Sequence, residues 1–231
     1  MSGIRAEKKR QTRQAIIAAA VSLFAEKGFD QTSMDELARA AGVGKGTIYG
    51  YFANKSEIFL AFCEEEIDFA FARLQQQTDP QAPLLEQLVA LHLGQFDFVT
   101  ANHEFGRIFC REMLFPAPGQ AAVTRELDDR YLRDVGVVLQ RAQDRGELRA
   151  DALPLLTIGH FHALYILVLS SWYSGRFAGR DEVAAVLRAL FIQALDGLGS
   201  GSSAGAADRE LLDRIQKRFF TDAAPASGDP K

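Results

Sequence analysis

The chain has 231 residues, of which 48% are apolar and 24% charged, with a formal net charge of −4. Those fractions suit one large or two modest globular domains and exclude a collagen-like or wholly disordered chain. Two cysteines, Cys63 and Cys110, cannot build a disulfide framework, and no Cys/His spacing suggests structural zinc.

The periodicity is helical nearly throughout, with no useful run of strand alternation, so the expected fold is all-α. A first helix is expected from about Arg5 to Lys27, with Ile16, Ala19, Ala20, Leu23 and Phe24 on one face and Gly28 as its stop. Its N-terminal start lacks the apolar core of a signal peptide. Ser33 and Glu36 have the spacing of a capping box for a short second helix ending at Gly42. A third, from about Lys45 to Phe52, precedes Asn54, which caps a longer fourth helix from Lys55 to Gln77. Glu64, Glu65 and Glu66 read as one solvated turn of that fourth helix.

Further helices are expected at about Gln81–Ala101, Glu104–Leu114, Gln120–Arg145, Leu153–Ser174 and Asp181–Leu195. The run Leu164 to Leu169 is too short to cross a bilayer, and the expected location is cytoplasmic. A Gly/Ser-rich linker follows Gly197, then an amphipathic segment from Asp208 to Phe220 and a disordered tail.

The charge is unevenly placed. Residues 1–55 hold nine Lys or Arg and five Asp or Glu, a net +4, which leaves −8 on the remainder. Five of those nine bases lie within the first 13 residues, as a chain needs when one end alone touches a polyanion.

Two short helices joined by Ala41-Gly42-Val43-Gly44 have the size of a helix-turn-helix. Leu37, Ala38 and Ala41 can face Ile48 and Phe52, with Phe24 closing a three-helix core. Lys45, Thr47, Tyr49 and Tyr51 then offer donors for phosphates and base edges. Gly46 and Gly50 each cost roughly 1 kcal/mol against alanine inside a helix. Either packing tolerates them, or a surface without Cβ atoms lets DNA approach closely.

The segment from Gly28 to Phe59 carries the patterns Gly-Phe-x-x-Thr-Ser, Ala-Gly-Val-x-Lys-Gly-Thr-x-Tyr-x-Tyr-Phe and Asn-Lys-x-Glu-x-Phe. It closely resembles the N-terminal DNA-binding domain of TetR-family transcriptional regulators, over about residues 10–60. The resemblance implies an all-α homodimer with a helix-turn-helix domain in residues 1–55. Residues 56–197 would form a ligand-binding and dimerisation domain, and 198–231 a linker, extra helix and tail. The implied function is a ligand-responsive repressor, released from its operator by a small hydrophobic or aromatic effector. The implied partners are double-stranded DNA, the effector and a second copy, with no cofactor and no membrane.

Position by position, the resemblance puts Lys45, Gly46, Thr47 and Tyr49 against bases and adjacent phosphates, and Tyr51 and Lys55 against phosphates. Thr32 and Ser33 fall where the second helix meets the DNA backbone. The family usually has Ser or Thr at Gly44 and a larger residue at Gly50. An effector pocket would draw polar linings from His92, His103, Cys110, Arg111, His160, His162 and Tyr165. Phe96, Phe109, Phe161 and Trp172 are its candidate apolar walls. The helix from about Leu153 to Ser174 is so apolar that it needs burial on two sides, and with the helix that follows it suits a four-helix bundle across a two-fold axis.

An enzyme reading finds no support. His160 and His162 point to different sides of one helix, and no Glu-x-x-His, P-loop, dinucleotide-binding glycine motif or Gly-x-Ser-x-Gly occurs. The alternative from another class is an interaction protein that keeps the helix-turn-helix but binds proteins.

Overall fold

The computed structural model describes residues 2–115 and 121–198. The expected extra segment at 208–220 and the tail lie outside them. Among the described residues all regular structure is helical. The elements are α1 (Ser2–Lys27), α2 (Met34–Ala40), α3 (Lys45–Tyr49), α4 (Lys55–Gln77), α5 (Leu84–Thr100), α6 (His103–Leu114), α7 (Ala121–Asp144), α8 (Pro154–Tyr173) and α9 (Arg180–Leu198). The regular part of α3 stops three residues short of the expected Phe52. The Phe52 amide still donates to the Ile48 carbonyl at 2.9 Å, so the turn continues one step further.

The chain divides into two compact units, one of Met1–Arg73 with Leu93–Leu127 and the other of Leu74–His92 with Asp128–Lys231. In the first, α1 packs on α2 and α6, and α2 on α3. Ile16, Phe24, Leu37 and Ile48 are fully enclosed, with Ala38 and Phe52 nearly so. That is the three-helix core read from the apolar spacing. Fully burying each large side chain stabilises the fold by about 1.5–3 kcal/mol.

What spacing could not supply is the partner of this core on its far side. Phe24 meets Phe29 at 5.0 Å and Phe105 of α6 at 6.3 Å. Phe105 in turn touches Phe62 at 4.5 Å, and Phe62 touches Phe98 at 4.9 Å and Phe109 at 5.7 Å. One aromatic cluster therefore runs from the helix-turn-helix through α4 and α5 to α6. Phe115 stands outside this cluster, 77% exposed beyond the end of α6.

The local stops and starts are as their chemistry requires. The Ser33 hydroxyl accepts from the Glu36 amide at 3.3 Å, and the Glu36 carboxylate accepts from the Ser33 amide at 3.0 Å, completing the capping box. Asn54 caps α4 by accepting from the Glu57 amide at 3.0 Å. Gly42 turns the chain between α2 and α3 at φ +67°, where a side chain would be strained.

In the second unit α8 packs on α9. Phe161, early in α8, meets Phe191, late in α9, at 5.0 Å, so the two run antiparallel. By length and composition α8 could cross a membrane, yet it is paired with α9 and buries Ile158, Phe161, Tyr165, Val168 and Leu169. Its other side is open. Leu156, Gly159, His160, Ala163, Leu167 and Ser170 form an exposed stripe, and Ala185, Val186, Ala189 and Ile192 form another on α9.

Candidate nucleic-acid interface

The outward surface of α3 is built by what its inward side buries. Ile48 is anchored in the core, which turns Lys45, Gly46, Thr47 and Tyr49 to solvent, Tyr49 with 47% of its surface exposed. A Cβ built at Gly46 would meet nothing within 4 Å. The folded chain has no need of that glycine, so packing within the protein does not account for it. Gly50 ends the helix with φ −75°, its amide bonded to the Gly46 and Thr47 carbonyls. Gly44 is the N-cap and gives no side-chain bond, so α3 lacks the hydroxyl cap that serine would supply.

Lys45 is exposed and reaches back to Asp35, 2.9 Å away, which raises its pKa. The pair is solvent-facing and easily exchanged for a phosphate. A basic cleft flanks the helix: Arg5, Lys8, Lys9 and Thr12 of α1 and Tyr51 enclose about 480 Å³. Three bases of the N-terminal helix thus stand together beside the hydroxyls of Thr12 and Tyr51, as anion binding requires. Arg13 is not part of it, since its guanidinium pairs with Glu64 and Glu65 and lies over the Phe52 ring.

Two of the expected contacts have inward tasks. Thr32 is only 2% exposed, and its hydroxyl donates to the Gly28 carbonyl at 2.9 Å, closing the end of α1. Its side chain is thereby turned away from the surface, whereas Ser33 beside it is exposed. Lys55 donates to the carbonyls of Phe29 at 2.7 Å and Asp30 at 3.0 Å, with its ammonium 4.6 Å from the Phe29 ring. It holds the loop between α1 and α2 in place before it meets any phosphate. Lys55→Ala is therefore expected to lower stability by about 1.5–3 kcal/mol, the worth of hydrogen bonds to a charged group. Urea unfolding checks this, and an unchanged midpoint would mean that the bonds to the loop carry no net energy.

The residues expected to line an effector pocket fall into both units. In the first, Phe96 and Phe109 are buried, and burial pushes the Cys110 thiol up to about 11. His103 lies outside beside Glu104, and the Arg111 guanidinium pairs with Glu112 on the same helix. In the second, His92, Phe161 and Tyr165 come together, with His92 5.3 Å from Tyr165 and 5.0 Å from Phe191. The His92 Nδ1 bonds the Leu88 carbonyl at 2.8 Å, so Nδ1 carries the proton and Nε2 is a bare acceptor. Burial holds this ring down to about 3, neutral throughout the physiological range. Trp172 is half-buried, and His160 stands on the exposed stripe of α8.

Sequence reasoning missed Glu66. It is not solvated: Glu64 is exposed and Glu65 half-buried, but Glu66 is 5% exposed. The signal was present, because Phe62, Glu66 and Phe69 fall at i, i+4 and i+7 on one helical face.

Residues 16–62 match the family model described as "Bacterial regulatory proteins, tetR family". The chain is 27% identical over 143 residues to the fatty acid metabolism regulator protein of Bacillus subtilis, covering 62% of this chain and 74% of that one. It is 28% identical over 188 residues to the HTH-type transcriptional regulator SrpR of Pseudomonas putida, covering 79% and 83%. The structure of the fatty acid degradation regulator FadR from Bacillus halodurans superposes with a TM-score of 0.67 at 25% identity, over 80% of this chain and 98% of that one. A helix-turn-helix with an outward third helix, set in an all-α chain and matched by regulators rather than enzymes, leads to one assignment: residues 16–62 carry a DNA-binding domain of the tetR type, and the chain as a whole is similar to TetR-family transcriptional regulators.

Proposed function

We propose that this regulator is a homodimeric repressor, bound to its operator through residues 1–55 and released by a small hydrophobic or aromatic effector held within residues 56–197. Lys45, Gly46, Thr47 and Tyr49 read the major groove and its nearest phosphates. Tyr51 and Ser33 take flanking phosphates, Lys55 sets the loop on which they depend, and Thr32 fixes the end of α1. Such a protein acts where the DNA is, in the cytoplasm. The carrying observation is the exposed face of α3 beside the basic cleft of α1.

Two recognition helices must be spaced for successive major grooves. The exposed stripes of α8 and α9 support a second copy as the means, since Leu156 at 48% and Leu167 at 55% exposure leave apolar surface uncovered. The effector acts by binding better to a form whose recognition helices are wrongly spaced. The fatty acid regulators among the relatives favour an apolar effector.

Selection from a random duplex pool tests the reading. The expected product is a two-fold symmetric site, bound with an affinity that falls steeply as salt rises, by a slope of about −0.9 for each phosphate neutralised. Leu167→Glu is expected to give a monomer by sedimentation and to lose that site. Recovery of no preferred sequence, or a shallow salt slope, would favour a protein-binding role instead.

A further inference from the structure

The buried Glu66 has no part in DNA binding, and its surroundings are unusual for a carboxyl group. It lies on α4 between Phe62 and Phe69, one turn away on either side. Phe98 of α5 spans the two, 4.9 Å from the Phe62 ring and 5.3 Å from that of Phe69. Gln95, one turn before Phe98, hydrogen-bonds the carboxyl, and the Cys110 thiol of α6 is near enough to feel its charge. The approach of α4 and α5 is close here: a Cβ at Gly94 would lie 3.2 Å from the Ala70 Cα. Among the described residues the Glu66 Oε1 has no hydrogen-bond partner. Native interiors seldom leave a buried polar atom so, and such an atom calls for an explanation.

We infer that Glu66 is the charged anchor of the effector site, and that the effector it takes is an apolar molecule bearing a basic nitrogen, held as an ammonium between the carboxylate and the phenyl faces. The inference rests on the reading of the chain as a ligand-responsive regulator and adds the charge of the ligand. Three arguments support it. An anion buried without a cation is costly, and a cation brought in by the ligand removes that cost. Phenyl faces attract ammonium groups through their negative quadrupole. Finally, burial pushes the carboxyl up to about 7 against the bond from Gln95, and among the described residues no basic side chain acts on it. The protein thus supplies the acid and the aromatic wall, and the missing member is a cation. An anionic head group placed here, such as a fatty carboxylate, would meet like charge.

The test uses the full chain at pH 8 with two probes of one length and opposite charge, decylammonium and decanoate, titrated by calorimetry. The expected result is at least tenfold tighter binding of decylammonium. Glu66→Gln keeps the shape and the bond to Gln95, and is expected to shrink that preference to threefold or less, mainly by weakening the ammonium. Equal binding of the two probes, a preference for decanoate, binding of neither, or an undiminished preference in the Gln variant would each overturn the inference. The wild-type comparison needs no variant and so does not depend on its folding. Operator binding, read separately with the selected duplex, distinguishes the two failures. A chain that binds its operator but prefers no cation loses this site and keeps its regulatory reading; a cation preference without a selected duplex does the reverse.

Discussion

Replacing Tyr49 by alanine is expected to weaken operator binding roughly tenfold to hundredfold, and Lys45→Ala to flatten its salt dependence by about one unit of slope per protomer. The two effects differ because the groups differ. Tyr49 is an exposed ring with a hydroxyl donor on the solvent face of α3, and a base-edge or close groove contact is worth about 1–3 kcal/mol. Lys45 is a point charge, paired at the surface with Asp35, so its loss removes one neutralised phosphate and weakens all sequences alike. Fluorescence anisotropy across a range of salt separates them. A Tyr49→Ala chain that keeps full affinity and selectivity would show that α3 is not the reading helix.

The second large effect concerns stability rather than DNA. Glu66 titrates at about 7 in the folded chain against an ordinary 4.5, because burial disfavours its charged form. Its pKa is raised on folding, so between those values the folded state holds more proton than the unfolded one, and stability falls as pH rises. The penalty is absent below about pH 4.5 and complete above about pH 7. It amounts to roughly 3 kcal/mol, from the size of the shift. Glutamine cannot ionise and escapes it. Glu66→Gln is therefore expected to melt close to the wild type at pH 5 and roughly 5–10 °C above it at pH 8. A difference that does not change with pH would mean that the carboxyl keeps its ordinary pKa in the fold.

The helices were legible because their signals are local. The Ser33 and Glu36 box, the Asn54 cap and the Gly42 turn each act over a few residues, and each stands where its chemistry put it. The surface of α3 was legible for the same reason: once Ile48 is inward, the 3.6-residue period fixes what faces out. The inward positions of Thr32 and Lys55 were not, since each depends on a carbonyl in a loop whose path the periodicity does not describe.

The interior of the larger part was the least legible. Aromatic residues state that a core exists without stating which helix meets which. Only the packing of α1 on α6 joins Phe24 to Phe105 and extends the helix-turn-helix core into one aromatic cluster. Only the packing of α5 and α6 against α4 turns Glu66, one of three adjacent glutamates, into a buried acid.

The sequence by itself therefore determined the all-α class, the helix-turn-helix, the exposed face of its third helix and the contrast of +4 on residues 1–55 with −8 beyond. These follow from spacing, capping and charge, which are carried by neighbours along the chain. The tertiary structure decided which charged groups are spent internally, which apolar stripes of α8 and α9 remain uncovered, and where a carboxyl is stranded among phenyl rings. Those outcomes depend on contacts between distant segments, and desolvation, the force that sets them, acts only once the segments have met.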